Sequence, residues 1–112
     1  MLTSMNKAPL GLLWLDRSHA LVARRYDRGI QVTEIDRKLD AEPGFLLRVA
    51  REAAECDRLV VMGPDASRVA FEREYVALYQ RPDRLVDAGM EIEPAFRELT
   101  DRLRFLEMST PA

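Results

Sequence analysis

Residues 59–79 run Leu59-Val-Val-Met-Gly-Pro-Asp-Ala-Ser-Arg68 and on through Val69-Ala-Phe-Glu-Arg-Glu-Tyr-Val-Ala-Leu-Tyr79. Leu59, Val60, Val61 and Met62 form an unbroken apolar run, two of them β-branched, as suits a strand covered on both faces. Pro64 ends that strand, yet it is tolerated in the first turn of a helix, so the pattern predicts a strand, a Gly-Pro break and a helix from Asp65 to Gln80. Such a unit places free backbone N–H groups and a positive helix end at the carboxyl edge of a sheet, where α/β folds put their ligands.

Working outward, Leu10-Gly-Leu-Leu-Trp-Leu-Asp16 is almost wholly apolar and reads as a central strand. His19–Tyr26 and Ile30–Ile35 are separated by Asp27-Arg28-Gly29, a connection of hairpin type, so the first three strands form an antiparallel meander. Gln31, Thr33 and Glu34 make the third strand half-exposed and place it at the sheet edge. After a polar connection from Asp36 to Glu42, the period changes to that of a helix over Pro43–Cys56, with Phe45, Leu46, Val49, Ala50, Ala53 and Cys56 on one face. Leu85-Val86 marks a short fifth strand, and Phe96, Leu99, Leu103 and Leu106 repeat at helical spacing. The expected fold is α/β: one mixed five-stranded sheet, an antiparallel meander followed by parallel strands, with helices on both faces.

The chain has 112 residues, 47% of them apolar, enough for one domain and too few for two ordinary ones. Residues 1–9 and 108–112 read as flexible tails. Seventeen basic and 19 acidic residues give a net charge of −2, which excludes a global field drawing the chain onto nucleic acid or an anionic membrane. A local patch would have to do that work. Cys56 is the single cysteine, so no intramolecular disulfide and no cysteine-based metal centre is expected. The first residues lack an apolar signal core, and no run approaches the roughly twenty apolar residues that span a bilayer. The expected location is the cytoplasm, without membrane association.

The order of elements, with Trp14-Leu15-Asp16-Arg17-Ser18-His19-Ala20 and Val60-Val61-Met62-Gly63-Pro64, resembles the ribonuclease-H-like middle domain of archaeal and eukaryotic peptide-chain release factors. Its opening is similar to the Trp-Ile-Asp-His-x-x-Ala of their bacterial relatives. The resemblance implies association with the ribosome or RNA. Release chemistry in that family rests on a Gly-Gly-Gln loop, which this chain does not contain, so peptidyl-tRNA hydrolysis by that route is excluded. Arg17 stands where the bacterial opening has histidine.

The same topology supplies an enzymatic alternative, a metal-dependent nuclease or phosphoesterase with two Mg²⁺ ions held by Asp16, Glu52 or Glu55, and Asp65. Against it, Asp65 suits a helix start without any ligand. An anion could be held at the Gly63–Ser67 turn by backbone N–H groups, the Ser67 hydroxyl and Arg68, although Asp65 would repel it. Arg17, Arg24, Arg25 and Arg28 form the best local basic patch, but alternation sends Arg24 and Arg25 to opposite sheet faces. His19 reads as a turn or packing residue and Cys56 as an inert core thiol.

The Asp65–Gln80 helix has two apolar sides. Ala66, Val69, Ala70, Val76 and Ala77 form a shallow one suited to the sheet; Phe71, Tyr75, Leu78 and Tyr79 form another, to be covered by the last helix or by a second copy in a homodimer. The leading functional expectation is a non-catalytic binding module, associated with translation or RNA, that needs neither cofactor nor metal. Its rival is the Mg²⁺-dependent enzyme.

Overall fold

The computed structural model describes residues 10–26, 29–90 and 92–109. Strand β1 (Leu10–Leu15) has all six residues buried, and it lies in the middle of the sheet. It pairs antiparallel with β2 (His19–Tyr26), which pairs antiparallel with β3 (Gly29–Asp36). On its other side β1 runs parallel to β4 (Arg58–Met62), and β4 runs parallel to β5 (Leu85–Gly89). The order β3-β2-β1-β4-β5 puts the polar third strand at one edge, as expected, and the short fifth strand at the other.

Alternation along the strands divides the core in two. Leu13, Leu15, Val22, Leu59 and Val61 face helices α1 (Glu42–Glu52) and α2 (Asp65–Tyr79), and meet Phe45, Leu46, Val49 and Ala50 of α1. Leu12, Trp14, Leu21 and Met62 face the opposite way and are covered by Leu99 and Leu103 of α3 (Phe96–Ser109). Each of the buried Val, Leu, Phe and Met side chains contributes roughly 1.5–3 kcal/mol by leaving water. Gly11 belongs to the first face, where a Cβ would lie 2.5 Å from Cys56 Sγ; its lack of a side chain lets the buried thiol pack on the central strand.

Two expectations are corrected. The aromatic side of α2 is the one that faces the sheet: Phe71 and Tyr75 are fully buried and Tyr79 packs against the same cluster, whereas Val69 and Leu78 are exposed. The space beside α1 is deep, and large rings fill it where Ala66, Val69 and Ala70 would leave voids. Helix α3 lies across the other face, so it covers none of these rings. Phe71, Tyr75, Leu78 and Tyr79 therefore do not form the exposed homodimer patch expected of them, because the rings are already packed inside the subunit and only Leu78 of the four is left exposed. The second correction is smaller. Helix α3 takes in Met108 and Ser109, which read as tail, since the first helix breaker beyond it in sequence is Pro111. Residues 1–9 and 110–112 lie outside the described residues.

Candidate functional site

At the carboxyl end of β1 the chain turns through Asp16, Arg17 and Ser18. The Asp16 carboxylate accepts hydrogen bonds from the Ser18 N–H at 2.8 Å, the His19 N–H at 3.0 Å and the Ser18 hydroxyl at 3.0 Å. Partial burial pushes its pKa up, but these three bonds and nearby His19 outweigh that and hold it below the ordinary carboxylate range. Asp16 is thus the keystone of a turn. His19 follows, its ring 5.4 Å from Trp14 and its Nε2 2.9 Å from Glu93 Oε2 in the segment before α3.

Burial lowers the His19 pKa, while the Glu93 bond and the charges of Asp16, Glu93 and Glu34 raise it, and the net shift is upward from 6.5. The pairing therefore stabilises the fold fully below pH 6.5, and that contribution is lost as pH rises through the folded-state pKa. Glu93→Gln is expected to lower the imidazole pKa in a proton NMR titration; an unchanged midpoint would remove Glu93 as the cause.

The β2–β3 register sets His19 opposite Asp36, which brings the Asp16–Ser18 turn against the loop from β3 to α1. The two loops are stitched together. The Arg37 N–H donates to Ser18 O at 2.9 Å, Arg37 Nη1 donates to Arg17 O at 3.2 Å, and Arg37 Nε donates to Asp40 O at 2.9 Å. A shallow groove results, lined by Arg17, Ser18, Asp36, Arg37, Lys38, Leu39 and Asp40. Arg48 sits 2.9 Å from Asp40 Oδ2 and takes up its charge. Arg17 and Lys38 are exposed at the rim, and Leu39 stands fully in solvent at 101% exposure. The groove mixes the carboxylates of Asp36 and Asp40 with three cations, of which Arg37 is engaged on backbone carbonyls, so Arg17 and Lys38 at the rim are the groups able to meet an anion.

Arg24, Arg25 and Arg68, which the sequence also singles out, are engaged within the domain. Arg24 is buried and bonded to Glu52, while Arg25 forks onto the Glu107 carboxylate at 3.0 and 2.8 Å, so the two do point to opposite faces. Arg28 lies outside the described residues. Arg68 is buried, donating to Gly63 O at 2.8 Å and to the carboxylates of Asp65 and Asp87, and Ser67 is buried too. The anion-binding turn expected of Gly63, Ser67 and Arg68 does not form, because the guanidinium is already taken by two carboxylates.

The carboxylates of the nuclease alternative are not brought together. Asp16 and Asp65 stand at the carboxyl edge, but Glu52 is held by Arg24, whose partner across the sheet is Gly11 near the start of β1. Strand geometry puts about 13 Å between the Gly11 and Leu15 levels, beyond the reach of a shared metal site. Among the described residues no three His, Cys, Asp or Glu side chains are grouped to hold a metal ion, and no helix is long and apolar enough to cross a membrane. Sequence reasoning misses Arg37, Lys38, Glu93 and the Glu72–Asp87 contact; the adjacent cations Arg37-Lys38 in the polar connection are the one signal that points to the groove.

Strand order, the parallel β1–β4 pair and helices on both faces define an α/β domain of the ribonuclease-H-like kind that the resemblance implies. No protein-family model matches the chain, and no curated protein matches its sequence. Among solved structures, Pelota of Archaeoglobus fulgidus is similar with a TM-score of 0.64 at 15% identity, over 92% of this chain and 32% of Pelota. Dom34 of S. cerevisiae, a translation termination-like factor involved in RNA quality control pathways and interacting with Hbs1, gives 0.60 at 6% identity over 92% and 34%. The archaeal translation termination factor aRF1 gives 0.54 at 16% identity over 89% and 39%. At these identities the likeness is one of fold, and the chain spans about a third of the length of the first two proteins.

Proposed function

We propose that this chain is a non-catalytic, cytoplasmic module of the translation machinery that binds RNA phosphates in the groove between the Asp16–Ser18 turn and the Arg37–Asp40 loop. The observation that carries this reading is the shared fold with Pelota, Dom34 and aRF1 over nearly the whole chain. The Trp14-Leu15-Asp16 opening supports grouping it with bacterial relatives of those factors. Dispersed carboxylates and the lack of Gly-Gly-Gln favour binding over catalysis.

The test is co-sedimentation with ribosomes across a salt series. Each phosphate contact contributes a slope of about −0.7 to −0.9 in log affinity against log salt, so association through Arg17 and Lys38 should weaken steeply. The Arg17→Glu, Lys38→Glu double variant is expected to lose at least about tenfold in affinity while keeping wild-type circular dichroism. Binding that ignores salt, or is unchanged in the double variant, would count against the groove.

A further inference from the structure

At the edge opposite β3, the Arg68 network leaves one group unexplained. Glu72 lies one turn beyond Arg68 on α2 and meets Asp87 of β5, yet its Oε2 is wholly buried and has no hydrogen-bond donor among the described residues. Asp87 Oδ1 already accepts from the Gly89 N–H at 3.0 Å and from Arg68. Two ionised carboxylates side by side would leave the Glu72 oxygen orphaned and facing a like charge. A proton on Glu72 resolves both difficulties, because the carboxylic O–H then donates to Asp87.

We infer that Glu72 and Asp87 share one proton and that this proton fastens edge strand β5 to α2, tightening the carboxyl end of β4 and β5 in mild acid and loosening it in mild base. What it fastens is specific: Asp87 orients Gly89, whose carbonyl accepts the Gly63 N–H at 3.2 Å, and Arg68 ties Gly63 O to the same cluster. The charges acting on Glu72 are Asp87 from β5 and Arg68 from its own helix, with Asp65 on the far side of Arg68. In the 3-10 turn at the foot of α2, Arg81 and Asp83 pair with each other, and Arg84 stands where β5 begins.

Burial first, then the Asp87 bond and charge, lift the Glu72 pKa from 4.5 to about 7, with Arg68 opposing. A raised carboxyl pKa contributes stability that is full below about 4.5 and is lost as pH rises through about 7. Asp87, held low chiefly by Glu72, contributes in the opposite sense, only losing stability in stronger acid.

Carbon-detected NMR of the side-chain carboxyls provides the direct test. A Glu72 midpoint near 7 is expected, and one below about 5, with the ordinary carboxylates, would overturn the shared proton. Hydrogen exchange tests the fastening. By linkage, the Gly63 and Gly89 amides should lose about tenfold in protection between about pH 6 and pH 8, after correction for intrinsic rates. Glu72→Gln donates to Asp87 at every pH and should abolish that loss; if the loss persists in this variant, the strand is not fastened by the proton.

Discussion

Alanine at Gly63 is expected to cost about 3 kcal/mol or more and to bring the domain close to unfolding at 37 °C. Gly63 has φ +128°, a conformation that residues with a Cβ rarely adopt, and an added Cβ would lie 2.1 Å from the Leu15 carbonyl oxygen. That oxygen belongs to the backbone of the central strand, fixed by neighbours on both sides, so it cannot retreat as a side chain would. The strained backbone alone costs of order 1–3 kcal/mol, and relief of the contact requires parting β1 from the end of β4. Gly44, in α1 with nothing within 4 Å of its would-be Cβ, is the control. Alanine there should stabilise by about 0.5–1 kcal/mol. Urea melts of both variants decide the matter, and a Gly63→Ala midpoint at the wild-type value would refute the close approach.

Truncation of Tyr75 to alanine should cost about 3–5 kcal/mol, whereas Tyr75→Phe should be neutral or slightly stabilising. The ring is fully buried, 5.9 Å from Phe71 and 5.0 Å from Tyr79, and its loss opens a cavity that α1 and the sheet cannot close. Its hydroxyl, by contrast, is buried with no hydrogen-bond partner among the described residues, so removing the oxygen relieves a desolvated group. Thermal melts with mass measurement separate this from the homodimer, one of the two arrangements that the sequence leaves open. A Tyr75→Ala variant that melts like wild type and differs only in oligomeric mass would place the ring at an interface after all.

That contrast shows what patterns along the chain can and cannot reveal. Leu10–Leu15 reads as a central strand because every residue is apolar, and α1 is legible because Phe45, Leu46, Val49 and Ala50 return at helical spacing. Both sides of α2 are apolar, however, and they differ in size more than in polarity. Which side turns inward depends on the depth of the space between α1 and the sheet, a tertiary quantity that no local period encodes. The arginines pose a similar problem. Whether Arg24 or Arg68 serves a partner or an internal pair rests on Glu52 and Asp87, which lie 28 and 19 residues away. Arg17 is visible as a candidate, but Arg37 and Lys38 join it only through the register that sets His19 against Asp36.

The central place of β1 also dictates a hazard during synthesis. In the finished sheet it is flanked by β2 and β4, but as the chain emerges its antiparallel partner arrives within a few residues, and its parallel partner only after about forty more, once α1 has been made. Throughout that interval the most apolar strand of the protein is a naked edge, able to zip onto any other extended chain. A ribosome that pauses before Arg58 therefore holds a sticky hairpin, and the safety of the nascent molecule depends on how quickly residues 58–62 follow.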